Sequence, residues 1–194
     1  MPENTKNKIK YGIKNVYFAA ITGKDAQTGA VTYAAPVALP GAVSISLSPE
    51  GSNDPFYADD IVYYRTNSNN GYTGSIEFAK ISEAFRETIL QETKDNNGVF
   101  IENANNAEPV HFALLFEFAG DAHKIRHVLY DCTATRPNIE SQTKEAAASP
   151  VTESLDLTVD PREDGLVKAR TGADTPAAAY NGWFTAVYEP VTTP

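Results

Sequence analysis

Two short runs of strict alternation flank a long polar insertion, and together they constrain the fold more than any other feature of this chain. Val43, Ile45 and Leu47 alternate with Ser44, Ser46 and Ser48, the period of a strand with one face buried. Tyr72, Gly74, Ile76 and Phe78 form a second run of the same kind. Between them, residues 49–71 carry Asn, Asp, Gly, Pro and Ser together with Phe56, Tyr57, Tyr63 and Tyr64. A connection of that length inside a compact domain is usually functional or disordered, and a disordered linker is poor in aromatics. The stretch reads as an extended arm that orders against a partner.

The rest of the chain predicts a mainly β domain. Residues 11–21, 30–37, 110–119, 124–133, 151–159 and 181–189 each have extended character, the last holding the only tryptophan, Trp183. Residues 120–122 supply a turn that makes a hairpin of the strands around them. The glycines of GYTGS (71–75) read as turn and bulge residues. One helix is predicted: Ser82 caps it, Glu83 suits its positive end, and Phe85, Ile89 and Leu90 form an apolar stripe. With no Gly or Pro from Ala84 to Thr93, it is expected to run until Lys94 and the Asn96–Asn97–Gly98 stop. Residues 1–10 read as a flexible basic start, 136–150 (with KEAAAS) as a weak helix or loop, and 161–179 as a mobile loop. No internal repeat or second boundary is visible in residues 1–194. The expected architecture is one β-sandwich or barrel with a flanking helix and a long hairpin arm.

Composition narrows the function. A chain of 194 residues buries roughly 70% of its unfolded surface and needs no metal or disulfide to fold. Cys132 is the only cysteine. No run approaches the roughly 20 apolar residues of a membrane span, and MPENTKNKIKYGIKN has no apolar h-region of a secretory signal. These features lead us to expect folding in a cytosol. The net charge of −9 argues against a sequence-reading nucleic-acid binder, although an acidic surface suits a wall past which DNA slides.

Residues with chemical potential lack the patterns that chemistry needs. His111, His123 and His127, with Asp121 and Cys132 nearby, match no metal-ligand spacing. Cys132 has no visible base to make it a nucleophile. Glu50, Asp54, Asp59 and Asp60 cluster in the arm without a calcium-loop pattern, and paired carboxylates need a cleft for glycosidase chemistry. We assign no catalytic residue, cofactor or metal. Tyr57, Tyr63, Tyr64 and Tyr72 serve either sheet packing or an interface.

The ordered set PGAVSISLSPEG, FYADD and YYRTNSNNGYTGSIEFAKI before a short helix resembles the major tail protein (tail tube protein) of long-tailed phages with non-contractile tails. KYGIKNVYFA, GDAHKIRHVLYDC, RPNIESQTKE and NGWFTAVYEP resemble its other strands and loops. The resemblance implies a structural virion protein without a cofactor. Copies would form hexameric rings that stack into a tube around a tape-measure protein, bounded by a tail terminator and baseplate-side tail proteins. DNA would pass without sequence-specific binding, and the protein would occupy the host cytoplasm before the virion tail. On this reading Ser44, Ser46, Ser48, Thr73, Ser75 and Glu77 face the lumen. Phe56, Tyr57, Asp59, Asp60, Tyr63, Tyr64 and Arg65 belong to an arm that reaches the next ring and orders on stacking. Two other classes are weighed: a monomeric β-sandwich module binding carbohydrate or protein through Trp183 and the tyrosines, and an enzyme using Asp59, Asp60 or His127.

Overall fold

A computed structural model describes residues 11–25, 27, 29–106, 108, 110–120, 124–141, 143 and 151–191. The chain opens with strands β1 (Ile13–Lys24), β2 (Val31–Tyr33), β3 (Val37–Ala38) and β4 (Ala42–Glu50). The arm follows as β5 (Asn53–Ala58) and β6 (Ile61–Asn67), and β7 (Gly71–Phe78) returns along β4. Helix α1 (Glu83–Thr88) precedes a small ladder of β8 (Thr93–Lys94) and β9 (Phe100–Ile101). Then come β10 (Phe112–Phe118), β11 (Arg126–Ala134), β12 (Glu153–Val159), β13 (Lys168–Arg170) and helix α2 (Ala177–Gly182).

One antiparallel sheet organises the molecule, in the order β2-β1-β10-β11-β12-β7-β4, with β3 also on β1 and β13 also on β11. Strand β10 lies in the interior of the sheet between β1 and β11, and FALLFEF is buried on both faces, as an uninterrupted apolar run requires. The sheet curls until β4 approaches β1, without a ladder between them. Its concave side holds the main core, including Phe18, Ile76, Phe112, Leu114, Leu155 and Leu157. Phe85 of α1 enters that core edge-on between Phe18 and Phe112, at 5.1 and 5.5 Å between ring centres.

Ser82 caps α1 by accepting a hydrogen bond from the Phe85 N–H. The helix is shorter than its sequence suggests. It stops at Thr88 because Gln91 turns left-handed (φ 57°), and Thr93 and Lys94 pair with β9 instead. The Asp95–Gly98 sequence forms that hairpin's turn, with Asp95 Oδ1 accepting from the N–H groups of Asn97 and Val99.

Two further expectations are overturned at the C-terminal end. Residues 161–179 are docked: Arg162 and Thr171 are buried, and β13 pairs with β11. Residues 181–189 are no strand. They complete α2 and run on as a strap over the convex side of β1, β10 and β11. Trp183 packs there with Ala19, Ala113, Leu115, Val128 and Tyr130, and stacks on Tyr188 at 5.0 Å. The strap is pinned where Tyr130 Oη donates to the Tyr188 carbonyl (2.9 Å) and Arg162 Nη1 to Glu189 Oε1 (2.7 Å). Covering an apolar sheet face outweighs the local alternation of NGWFTAVYE. The expected turn at Asp121, the KEAAAS segment and the N-terminal ten residues lie outside the described residues.

Candidate functional site

The convex side of the sheet divides in two. Over β1, β10 and β11 it is apolar and covered by the strap; over β12, β7 and β4 it is polar and open. Register explains the polar half. Leu155 lies opposite Ile76, which lies opposite Ile45, and this row faces the core. One residue along, every side chain points to the other face. There the rows read Ser44–Glu77–Ser154, Ser46–Ser75–Asp156 and Ser48–Thr73–Thr158, and Thr133 of β11 extends the last row.

All six residues expected on a lumen wall therefore share one face, as three cross-strand pairs: Ser44 with Glu77, Ser46 with Ser75, and Ser48 with Thr73. Ser44 Oγ donates to Glu77 Oε2 at 2.7 Å. The face continues across Ser154, Asp156 and Thr158, which the sequence reading did not include. Their signal was present in the alternation of β12, whose Leu155, Leu157 and Val159 are buried. At the outward positions of these three strands stand the carboxylates Glu50, Glu77 and Asp156, and no Lys or Arg.

Two glycines bring the strands together. A Cβ at Gly74 would lie 2.0 Å from the Ser46 carbonyl oxygen, so only glycine lets β4 pass this close. Gly74 sits in continuous register between Leu47 and Leu157, without the bulge expected there. Gly71 (φ 98°) makes the corner where β7 begins, and a Cβ there would strike the Val159 carbonyl.

The arm is a β-hairpin that prolongs the β4–β7 ribbon. Ser68 N–H donates to the Ser52 carbonyl (3.0 Å) and Asn70 N–H to the Glu50 carbonyl (2.9 Å), joining the two ladders. Its tip is the two-residue turn Asp59–Asp60, with φ of 52° and 60°, the left-handed pair that fits the twist of a hairpin. Aspartate tolerates that region better than most residues. Phe56 pairs with Tyr64 across one face, and Tyr57 with Val62 across the other. Arg65 is held along the hairpin by Asn53 Oδ1 at 2.8 Å. All seven residues expected on the arm thus lie on this one hairpin. Phe56, Tyr57, Tyr63 and Tyr64 are 61–71% exposed, so beyond their pairing within the hairpin they are not buried in the core of the chain.

The other candidates have structural surroundings. His127 stacks on Phe116 at 5.1 Å, with Phe118 edge-on to it. His111 Nδ1 lies 2.5 Å from Asp131 Oδ1, and Lys24 pairs with the same buried carboxylate at 3.1 Å. Burial pushes the Cys132 thiol far up from its ordinary pKa, which keeps it protonated and unreactive. His123 and Asp121 lie outside the described residues. Among those described, no three His, Cys, Asp or Glu side chains gather as metal ligands, and no helix is long and apolar enough to cross a membrane. Trp183 is 2% exposed and its Nε1–H donates to the His127 carbonyl, so it offers no ring to a ligand, contrary to the binding-module reading.

Comparison with known proteins bears on identity. No curated protein matches the sequence. A solved structure described as the cryo-EM structure of the anti-feeding prophage (AFP) baseplate, 6-fold symmetrised, is similar at 9% identity and a TM-score of 0.46, covering 86% of this chain and 96% of that one. The family model described as phage tail tube protein matches residues 1–189. A match over nearly the whole chain shows the family, and the chain belongs to the phage tail tube proteins, structural components of the virion tail.

Proposed function

We propose that copies of this protein close into rings, six to a ring, that stack as a tail tube and conduct DNA. The bore is lined by the polar face of β12, β7 and β4. The observation that carries this reading is the register that puts Ser44, Ser46, Ser48, Thr73, Ser75 and Glu77 on one open face. Small hydroxyl side chains give a smooth wall with few apolar groups to bind bases. The carboxylates Glu50, Glu77 and Asp156 repel phosphate over the roughly 8 Å that physiological salt allows. Among the described residues strand β4 sits at the end of the sheet with one edge unpaired, and a closed ring removes such edges. The arm lies at the junction between stacked rings. The tape-measure protein, the tail terminator and the baseplate-side proteins are the expected partners, and the chain performs no chemistry of its own.

Negative-stain electron microscopy of the purified protein over a rising concentration series tests the reading. Rings or hollow tubes are expected. Compact single particles at every concentration, with or without a tail initiator, would contradict it.

A further inference from the structure

Beside the root of the arm the curled sheet leaves a cleft of about 310 Å³. Ile45 and Leu47 of β4 line it on one side, and Phe116, Phe118 and His127 of β10 and β11 on the other. Lys168 of β13 also lines it, and among the described residues no carboxylate does. Lys168 is exposed, donates to Tyr72 Oη, and sits 4.4 Å from the centre of that ring. Among the described residues it forms no ion pair with a carboxylate. The larger cleft around Arg86 and Arg136 differs, because both cations are already paired there with glutamates.

We infer that this cleft is the seat for the acidic hairpin tip of a second copy of the chain. The inference rests on the self-assembly reading above and adds the surface that receives the arm. Three observations support it. The tip carries Asp59 and Asp60 beside exposed Tyr57, Ile61 and Tyr63, which complements an apolar, aromatic cleft bearing a lysine. The hairpin extends about 20 Å from its root, so a paired arm cannot fold its own tip back into the cleft at that root. Finally, the arm is apolar on both faces, Phe56 with Tyr64 on one and Tyr57 with Val62 on the other. A single surface covers only one face. A tip seated in the cleft of a lateral neighbour lays the hairpin across the end of the ring, and its second face meets the ring stacked above. The contact is head-to-tail, the kind that closes round a ring.

Charge reversal tests the assignment. Lys168→Glu and the pair Asp59→Lys with Asp60→Lys should each raise the concentration needed for self-association by at least about tenfold. Combining them should restore it. Lys168→Met, which keeps the stem over Tyr72, separates loss of charge from loss of packing; it should weaken assembly with an unchanged monomer melting curve. In a mixed assembly, one variant carries Asp60→Cys and the other Lys168→Cys. They should form an intermolecular disulfide on mild oxidation, against a background free of Cys132, which is buried. Normal assembly by Lys168→Glu, no rescue by the combination, or no cross-link in assembled particles would overturn the proposal. If arm-shortened protein fails to assemble while Lys168→Glu assembles normally, the cleft assignment alone falls. If arm-shortened protein forms normal tubes, the role of the arm falls with it.

Discussion

Gly74 is the residue on which the polar face most directly depends. A methyl group there would stand 2.0 Å from the backbone oxygen of Ser46, an atom that cannot move without shifting β4. Gly74→Ala should cost about 1–3 kcal/mol by urea unfolding, as overpacking does. Gly23→Ala, where a Cβ meets nothing within 4 Å among the described residues, is the control and should be near neutral. Equal stability of the two variants would refute the close-approach argument. Tyr33 gives a second test. Burial raises its pKa to about 12 from 10.0, because its hydroxyl is enclosed where it donates to the Tyr130 carbonyl. The folded state then keeps the proton that the unfolded chain releases. This contribution to stability is whole below pH 10 and disappears as pH rises to about 12. Tyr33→Phe should flatten that part of the stability–pH curve, and an unchanged slope would contradict the assignment. Cys132 should react with a thiol reagent only after denaturant unfolds the core. At this scale the sequence was informative for small, alternating residues. It could not show Arg162, whose burial depends on Tyr33 and Glu189 arriving from distant segments to join its neighbour Asp164.

At the scale of elements, legibility followed periodicity. Strands β4, β7 and β12 were readable because each has one face in the core and one open, which imposes a two-residue period. The arm was legible as a long hairpin, but its strand limits and turn were not, because both faces carry aromatics and the turn Asp59–Asp60 lacks the glycine that marks many two-residue hairpins. The early end of α1 was hidden for a similar reason, since Gln91 turns left-handed without a Gly or Asn signal. The strap was misread because its pattern is set by the sheet it covers and not by its own backbone. Each element carries a prediction. Trp183→Ala should cost about 3–5 kcal/mol, as expected for truncating a buried aromatic; a cost below 1 kcal/mol would mean the strap is not part of the core. Replacing residues 52–68 by a tight turn should leave the monomer's thermal unfolding nearly unchanged, because the arm's aromatics are mostly exposed and none belongs to the core. The same variant should lose tube formation, and tubes of normal appearance would exclude the arm from assembly.

For the whole molecule, the division of the convex sheet face matters most. One half is sealed by the chain's own C-terminal strap, and the other stays open, hydroxyl-rich and acidic. In the proposed ring, that asymmetry assigns each copy an inside and an outside before any partner arrives. Charge follows the same division. Making the bore cationic with Glu77→Lys and Asp156→Lys should leave tubes intact and make them retain DNA at low salt, with release as salt rises; tubes that ignore DNA under those conditions would place the two residues elsewhere. The most direct test of the account is a cryo-EM reconstruction of the assembled protein, asking which strands line the bore. A hollow tube with Ser46, Ser75 and Asp156 facing the lumen is expected. A tube that turns this face outward, or buries it between subunits, would contradict it.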